Sequence, residues 1–523
     1  MSLFRSIATV GGYTLASRVL WFIRDILVAA FLGAGPLADA FIVTFRLPNL
    51  FRAFSAEGAF SAAFVPMLAR LIATEGRQAA LSFAEETLAV LIAVLGLFVL
   101  AVEGAMPWVL SVIAPGFTGD GEQVATALLF GRVMFPYLLL ITLVAFLGSI
   151  LNALGRFAAM ASAPNLFNLV QIAALFAITP FVPTVAHALS YGVALAGIAQ
   201  FIHLVYAAKR AGVRLRLVRP RLTPNVRRML KLMVPATLGA GVTQVSLVIS
   251  TVMATLLPGG SVAYLYYADR VAQLPLGVVG YSVGTALLPL LTQQLAREPE
   301  AANTTQNRAL EVAALATLPA AAGLIALALP IVHVLFEHRA FSAEDAILTA
   351  RALAAFAMGL PAFVLIKVMT PGYLARHDTA TPVKIAAVAI AANLAIILAL
   401  MPYLAHVGIA IGTSIAAWLN AGLLWAGLAR RGQFHLDAEA TRRLPRLALA
   451  ALGMGGFVWW AAGLAEPMLM GHGLESIGAL VLLIGAGGLA FALLVLATGA
   501  ARPAELRSFL SRSPRLTEPS QDG

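Results

Sequence analysis

Long uncharged runs constrain this chain more than any other feature. The segment LAVLIAVLGLFVLAV (88–102) contains no charged or strongly polar side chain, and similar stretches recur along the sequence. A helix needs roughly 20 apolar residues to cross a bilayer. Inside lipid every backbone N–H and C=O must be paired within the protein, so helices and closed barrels are the spanning structures. Barrel strands alternate apolar and polar positions, and these runs do not. The expected fold class is therefore an all-α polytopic membrane protein. The composition agrees: of 523 residues 60% are hydrophobic and only 11% charged, more apolar surface than a soluble domain of this size could bury.

About fourteen spans are expected, near 7–33, 37–70, 86–113, 124–152, 158–180, 185–208, 225–257, 262–296, 306–336, 345–374, 381–402, 407–430, 443–465 and 475–499. The first run carries Arg18 and Arg24 and lacks a small-residue cleavage site, so it reads as a retained helix and not as a signal peptide. Having no cysteine excludes disulfides, thiolate metal sites and a cysteine nucleophile.

The loop charges orient these spans. After span six come Lys209, Arg210, Arg214, Arg216, Arg219, Arg221, Arg227, Arg228 and Lys231, with no acid among them. Arg430, Arg431, Arg442, Arg443 and Arg446 follow span twelve, and the tail adds Arg502, Arg507, Arg512 and Arg515. The connections at 114–123, 256–261 and 465–475 are short or acidic. The positive-inside rule then places both termini in the cytoplasm. It also makes the net charge of +11 a consequence of topology, not a sign of nucleic-acid binding. The basic segment 209–231 reads first as an orientation signal and headgroup-binding linker. It also divides the chain into an N-lobe (1–220, helices 1–6), a C-lobe (221–440, helices 7–12), a terminal helix pair (441–500) and a cytoplasmic tail (501–523). A weak repeat supports the division. Span two runs from Ala38-Asp39 through Leu47-Pro48 to Ala63–Pro66, and span eight from Ala268-Asp269 through Leu274-Pro275 to Ala286–Pro289. Parallel repeats of six spans are a known transporter architecture. Pro48, Pro66, Pro275, Pro289, Pro361 and Pro371 cluster in spans two, eight and ten, as a bending cavity wall would require.

Charge inside these apolar segments is the second constraint. Between Ser17 and Glu57 one helical hairpin holds Arg18, Arg24, Asp25, Asp39, Arg46, Arg52 and Glu57. A charge at the bilayer centre costs at least ~2.5 kcal/mol on insertion scales, so such residues face partners or water. At about 100° per residue, Thr14, Ser17, Arg18, Trp21, Arg24, Asp25 and Val28 share a sector about 120° wide. Counting outward from Gly35 puts Arg24 level with Arg46, and Arg18 level with Arg52. On this register Asp25 is expected to neutralise Arg46, leaving Arg18, Arg24 and Arg52 as anion ligands, because guanidinium binds phosphate oxygens bidentately. Asp269 and Arg270 are the corresponding pair in the second half. Lys367, Glu103 and Arg132 read as secondary or structural, and the isolated His187, His203, His333 and His406 show no metal-ligand spacing. The adjacent acids Glu85-Glu86 and Glu344-Asp345 are expected at helix starts, where the helix dipole accounts for them. A membrane enzyme acting on prenyl phosphates would instead need carboxylate pairs for a metal, or a His/Asp/Ser set. No catalytic residue, metal or cofactor is assigned.

The same residues carry a resemblance. SRVLWFIRDILVAAFLGAGPLADAFIVTFRLPNLFRAFSAEGAFSAAFVPML (17–68) resembles the N-terminal signature of the MurJ (MviN) lipid II flippases, of the multidrug/oligosaccharidyl-lipid/polysaccharide exporter superfamily. The resemblance continues through YYADRVAQLPLGVVGYSVGTALLPLL (266–291), FEHRAFSAED (336–345) and LIKVMTPGYLARHDTATPVK (365–384). It implies fourteen helices: two six-helix lobes in a V around a cationic cavity, and a last pair forming a groove for a polyprenyl tail. It further implies a bacterial cytoplasmic (inner) membrane protein that moves undecaprenyl-diphosphate-linked disaccharide-pentapeptide (lipid II) to the periplasmic leaflet for peptidoglycan synthesis. Membrane lipids and the cell-wall synthesis machinery would be its partners. Arg18, Arg24, Arg52 and Arg270 would bind the diphosphate, and Ser17, Asp25, Asp39, Glu57 and Asp269 would organise the cavity and its gates. Where some members place carboxylates in spans seven and eleven for a sodium ion, this chain has Ser250 and Asn393, so the membrane potential is the expected driver. The alternatives are an exporter of another lipid-linked oligosaccharide and a cation-coupled drug exporter. The latter would favour cavity carboxylates over arginines.

Overall fold

The computed structural model describes residues 3–55, 59–119, 121–295, 297–471 and 473–500, and among these no strand occurs. The helices are α1 (Leu3–Leu32), α2 (Pro36–Ser55), α3 (Ala59–Thr74), α4 (Gly76–Gly104), α5 (Met106–Ile113), α6 (Gly121–Met134), α7 (Tyr137–Ala153), α8 (Ala158–Ala177) and α9 (Val185–Arg210). They continue as α10 (Pro224–Thr255), α11 (Ser261–Leu295), α12 (Pro299–Ala326), α13 (Ala328–Phe336), α14 (Ala343–Leu374), α15 (Ala380–Arg430), α16 (Ala438–Leu464), α17 (Glu466–Leu469) and α18 (Leu474–Ala497). Nine helical stretches among the described residues are long and apolar enough to cross a membrane. The protein is a multi-pass, all-helical membrane protein.

Each expected span meets helix in the structure, and the differences have local causes. Span three starts ten residues early, at Gly76, so Glu85 and Glu86 lie inside α4 and not at its start. Their role changes accordingly. Glu85 Oε1 accepts the Arg216 N–H at 2.9 Å and Glu86 Oε2 accepts the Thr223 hydroxyl at 2.8 Å, so the two acids pin the basic segment to α4. Arg77 donates to the carbonyls of Ala211 and Gly212, and Arg156 to that of Arg210, satisfying acceptors left over where α9 ends. Glu344-Asp345 does sit at a helix start. The Ser342 hydroxyl accepts the Asp345 N–H at 3.2 Å while Asp345 Oδ2 accepts the Ser342 N–H at 2.9 Å, the reciprocal pattern of a capping box. Spans eleven and twelve are the two arms of α15, folded at Ala405, whose φ of 46° lies outside the helical region three residues after Pro402. The turn is tight: a side chain on Gly408 would meet the Leu400 carbonyl carbon at 2.9 Å.

Packing groups the chain into two compact units, Met1–Tyr267 with Leu335–Thr349 and Leu394–Ile409, and Ala268–Val334 with Ala350–Asn393 and Ala410–Gly523. This grouping by packing is a different quantity from the division of the sequence at 220, which sorts helices by order. In the first unit Phe64 stacks on Phe60 (5.0 Å between centroids) and Phe83 (5.5 Å), with Phe146 at 5.3 Å, all four buried. Such pairs fix how α3, α4 and α7 meet in a setting where lipid gives no hydrophobic drive between helices. The second unit has its own core of Leu287, Leu291, Val364, Val368, Met369, Tyr373, Leu424 and Leu428.

Candidate functional site

The α1–α2 hairpin lies in the first unit, and its charges are placed unequally. Arg24, Asp25 and Asp39 are buried, at 7%, 2% and 3% exposure. Ser17, Arg46 and Arg52 are half-buried and Arg18 is exposed. Glu57 lies outside the described residues. Asp269 and Arg270, both half-buried, belong to the second unit, where Asp269 accepts from the Gln273 amide one turn later.

Arg24 makes three hydrogen bonds with protein side chains. Its Nε and Nη2 both donate to Asp25 Oδ1, at 3.1 and 2.6 Å, and Nη1 donates to Asn168 Oδ1 on α8 at 3.1 Å. Its guanidinium carbon lies 5.6 Å from the centre of the Phe167 ring, also on α8. Asp25, expected from depth to neutralise Arg46, bonds its own neighbour Arg24. The pairing was hidden because residues i and i+1 on a helix point about 100° apart and rarely meet. Here the long arginine folds back to the adjacent carboxylate while also contacting Asn168 and Phe167 of α8. Arg46 donates from Nη1 to the Thr251 hydroxyl on α10 at 2.5 Å and lies over the Tyr266 ring of α11 at 5.9 Å. Arg24, Asp25, Val28, Phe41, Ile42, Phe45, Gln171 and Tyr266 line a small crevice of about 10 Å³. A second, of about 20 Å³, has Arg46 and Thr251 in an otherwise apolar wall of Val43, Leu47, Leu50, Ile113, Leu247 and Val248.

At the turn of the hairpin Asp39 serves another helix. Its Oδ2 accepts the Gly260 N–H at 2.7 Å and its Oδ1 accepts the Ala263 N–H at 2.8 Å. These groups lie at the start of α11, whose unpaired N–H groups carry the positive end of the helix dipole, so a carboxylate is the fitting partner. The contact is extended by neighbours. The Tyr267 hydroxyl donates to the Gly33 carbonyl at 3.3 Å, and the Ala340 N–H donates to the Ala30 carbonyl at 3.0 Å. Arg339 lies over the Phe31 ring at 4.4 Å. Gly33 has φ of +70°, and a side chain there would meet the Ala340 carbonyl oxygen at 2.5 Å, so both backbone conformation and space require glycine. Asp345 Oδ1 accepts the Tyr264 hydroxyl at 2.9 Å, tying the start of α14 to the same seam.

Sequence reasoning missed Asn168, Thr251, Tyr266 and Tyr267. A signal existed for the first: Asn165, Asn168 and Gln171 recur at three-residue spacing, which puts three amides on one face of an apolar helix. The four isolated histidines take local partners: His187 with Thr184 (2.7 Å), His203 with Ser162 (2.9 Å), His333 with the Gly471 carbonyl (3.1 Å) and His406 with the Leu348 carbonyl (3.0 Å).

The family model for the lipid II flippase MurJ matches residues 28–474. The chain belongs to the MurJ lipid II flippase family. A probable lipid II flippase MurJ of Rhizobium meliloti (strain 1021) is 45% identical over 475 residues, covering 90% of this chain and 88% of that protein. The lipid II flippase MurJ of Burkholderia cenocepacia is 36% identical over 468 residues, covering 88% and 90%. Among solved structures, a lipid II flippase MurJ in an inward closed conformation superposes with a TM-score of 0.77 at 22% identity, covering 96% of this chain and 99% of the other. An inward-facing transporter of the multidrug-resistance MATE family, of the MOP superfamily, gives 0.67 at 16% identity, covering 80% and 95%. These structural likenesses establish the fold. The family follows from the sequence matches.

Proposed function

We propose that the protein carries lipid II from the cytoplasmic to the periplasmic leaflet of the bacterial inner membrane by alternating access, with Arg18, Arg24, Arg52 and Arg270 binding the diphosphate. In this reading fourteen spans form an N-lobe (1–220) and a C-lobe (221–440), residues 441–500 receive the lipid tail, and both termini are cytoplasmic. The chain acts as a transporter and not as an enzyme. The observation that carries the proposal is a buried arginine, Arg24, held by protein groups within an apolar helix, with exposed Arg18 on the same strip of α1. A desolvated guanidinium beside an accessible one supplies phosphate oxygens with the donors that water supplied outside. Ser17, Asp25, Glu57 and Asp269 would order the cavity, and Asp39 would close its periplasmic side by holding α11.

The test is transbilayer movement of lipid II in proteoliposomes containing only this protein, with and without an imposed membrane potential. Arg18→Ala, Arg24→Ala, Arg52→Ala and Arg270→Ala are expected to insert normally and to lose most transport. Normal movement in all four variants would falsify the assignment. Vesicles carrying other diphosphate-linked glycans decide whether the disaccharide-pentapeptide is recognised or only the diphosphate.

A further inference from the structure

Asn168 is 3% exposed, lies in an apolar helix, and bonds two points of α1 at once. Its Oδ1 accepts Arg24 Nη1 at 3.1 Å and its Nδ2 donates to the Ser17 carbonyl at 3.3 Å. The amide orientation is dictated by chemistry: a guanidinium only donates and a carbonyl only accepts, so the oxygen must face Arg24 and the nitrogen Ser17. The two points are seven residues apart, about 10 Å along a helix. They reach one amide because helical side chains lean toward the N-terminus and the arginine is long.

We infer that Asn168 is a positioning residue for Arg24, holding its guanidinium in the orientation that meets the diphosphate. The inference rests on the transport reading above. Arginine has about 2 kcal/mol of rotamer entropy to lose, and a planar fork binds phosphate well only when its plane is set. Asp25 takes the Nε–Nη2 edge of the guanidinium through a single oxygen, Oδ1. Asn168 engages the third nitrogen from the opposite helix, and Phe167 supports the guanidinium at 5.6 Å. The choice of a neutral amide also matters. One carboxylate, Asp25, already offsets the arginine. A second at 168 would make the cluster net negative where an anion must arrive, whereas an amide fixes the cation without cancelling it.

The experiment measures initial flipping rate against lipid II mole fraction in proteoliposomes, together with thermal stability in detergent, for the wild type, Asn168→Ala, Asn168→Asp, Arg24→Ala and Arg24→Ala/Asn168→Ala. Loss of one hydrogen bond to a charged group predicts a roughly tenfold rise in half-saturation for Asn168→Ala, with maximal rate within about twofold. Asn168→Asp keeps an acceptor for Arg24 and is expected to be worse than Asn168→Ala. The double variant should be no worse than Arg24→Ala, because the amide acts through the arginine. Wild-type half-saturation in Asn168→Ala, or a loss of stability and maximal rate with half-saturation unchanged, overturns the inference. If Arg24→Ala is itself unimpaired, the diphosphate reading fails and this inference with it. If Arg24→Ala is impaired while Asn168→Ala is not, only the inference falls.

Discussion

At the turn of the α1–α2 hairpin a single carboxylate, Asp39, does with two backbone N–H groups what five charged side chains do together where α12 meets α16. In the second unit Glu311 accepts from Arg308 at 2.5 Å and from Arg443 at 3.0 Å. Arg308 also reaches Asp437 (3.5 Å) and Glu439, and Glu439 returns to Arg443 at 2.7 Å. Asp437 meanwhile caps α16 through the Ala440 N–H at 2.6 Å. The network shares every charge among several partners, so it resists the loss of a peripheral member. The Asp39 contact concentrates its effect in one buried group opposite a helix end. A joint of the second kind depends on one side chain, whereas a joint of the first kind spreads the dependence over five.

The comparison can be broken at either joint. The largest effect on the seam is expected for Asp39→Ala, which leaves two N–H groups of the α11 start without their acceptor. Losing a charged acceptor costs about 1.5–3 kcal/mol, enough to shift a closed seam tenfold or more toward open. The native chain has no cysteine, so a cysteine placed at Ala263 reports opening directly through a membrane-impermeant thiol reagent. Unchanged labelling in Asp39→Ala would remove the seam from the mechanism. Next comes Glu311→Ala, which deletes the buried acceptor shared by two arginines. About 3 kcal/mol of stability should be lost, near the low end for breaking a buried pair because Glu439 remains. Thermal unfolding in detergent measures it, and the seam's labelling should not change.

Gly33→Ala should open the seam less. A left-handed backbone at a non-glycine residue costs on the order of 1 kcal/mol or more, and the Ala340 carbonyl must also move. Labelling at Ala263 should therefore rise, less than in Asp39→Ala. Glu439→Ala, at the exposed rim, is expected to change neither unfolding nor transport by more than about twofold. The smallest effect concerns pH at the α14–α15 turn. Arg431 holds the Asp378 carboxyl well below the usual carboxylate range, helped by the Thr381 hydroxyl and N–H. A depressed carboxylate contributes stability above its unfolded pKa of about 4 and loses it as pH falls through the folded value. Unfolding of wild type and Asp378→Asn should thus differ by the same amount at pH 7 and pH 5, and the gap should narrow only in stronger acid.

What could be read from the sequence followed the range of the forces involved. Apolar runs set the spans because each helix must satisfy its own backbone in lipid, and the fold of α15 at Ala405 falls between the expected spans 381–402 and 407–430. The strip bearing Arg18, Arg24 and Asp25 was legible for the same reason, being a matter of helix period alone. Partners were not legible. Asp39 bonds groups more than two hundred residues away, Arg46 meets Thr251, and Arg24 meets Asn168 and Phe167 on α8. Glu85 and Glu86 were misplaced because α4 begins in a polar stretch, GRQAALSFAEE, that hydropathy alone assigns to a loop.

The strap between α9 and α10 has a practical consequence. It is fastened to α4 on both sides of its middle, through the Arg216 N–H and the Thr223 hydroxyl, while Leu217 and Leu222 between them are 70% and 61% exposed. Covalent continuity there adds little to what noncovalent docking already supplies. A gene interrupted between those two leucines, with its halves expressed as separate polypeptides, should yield fragments that find each other in the membrane and reassemble.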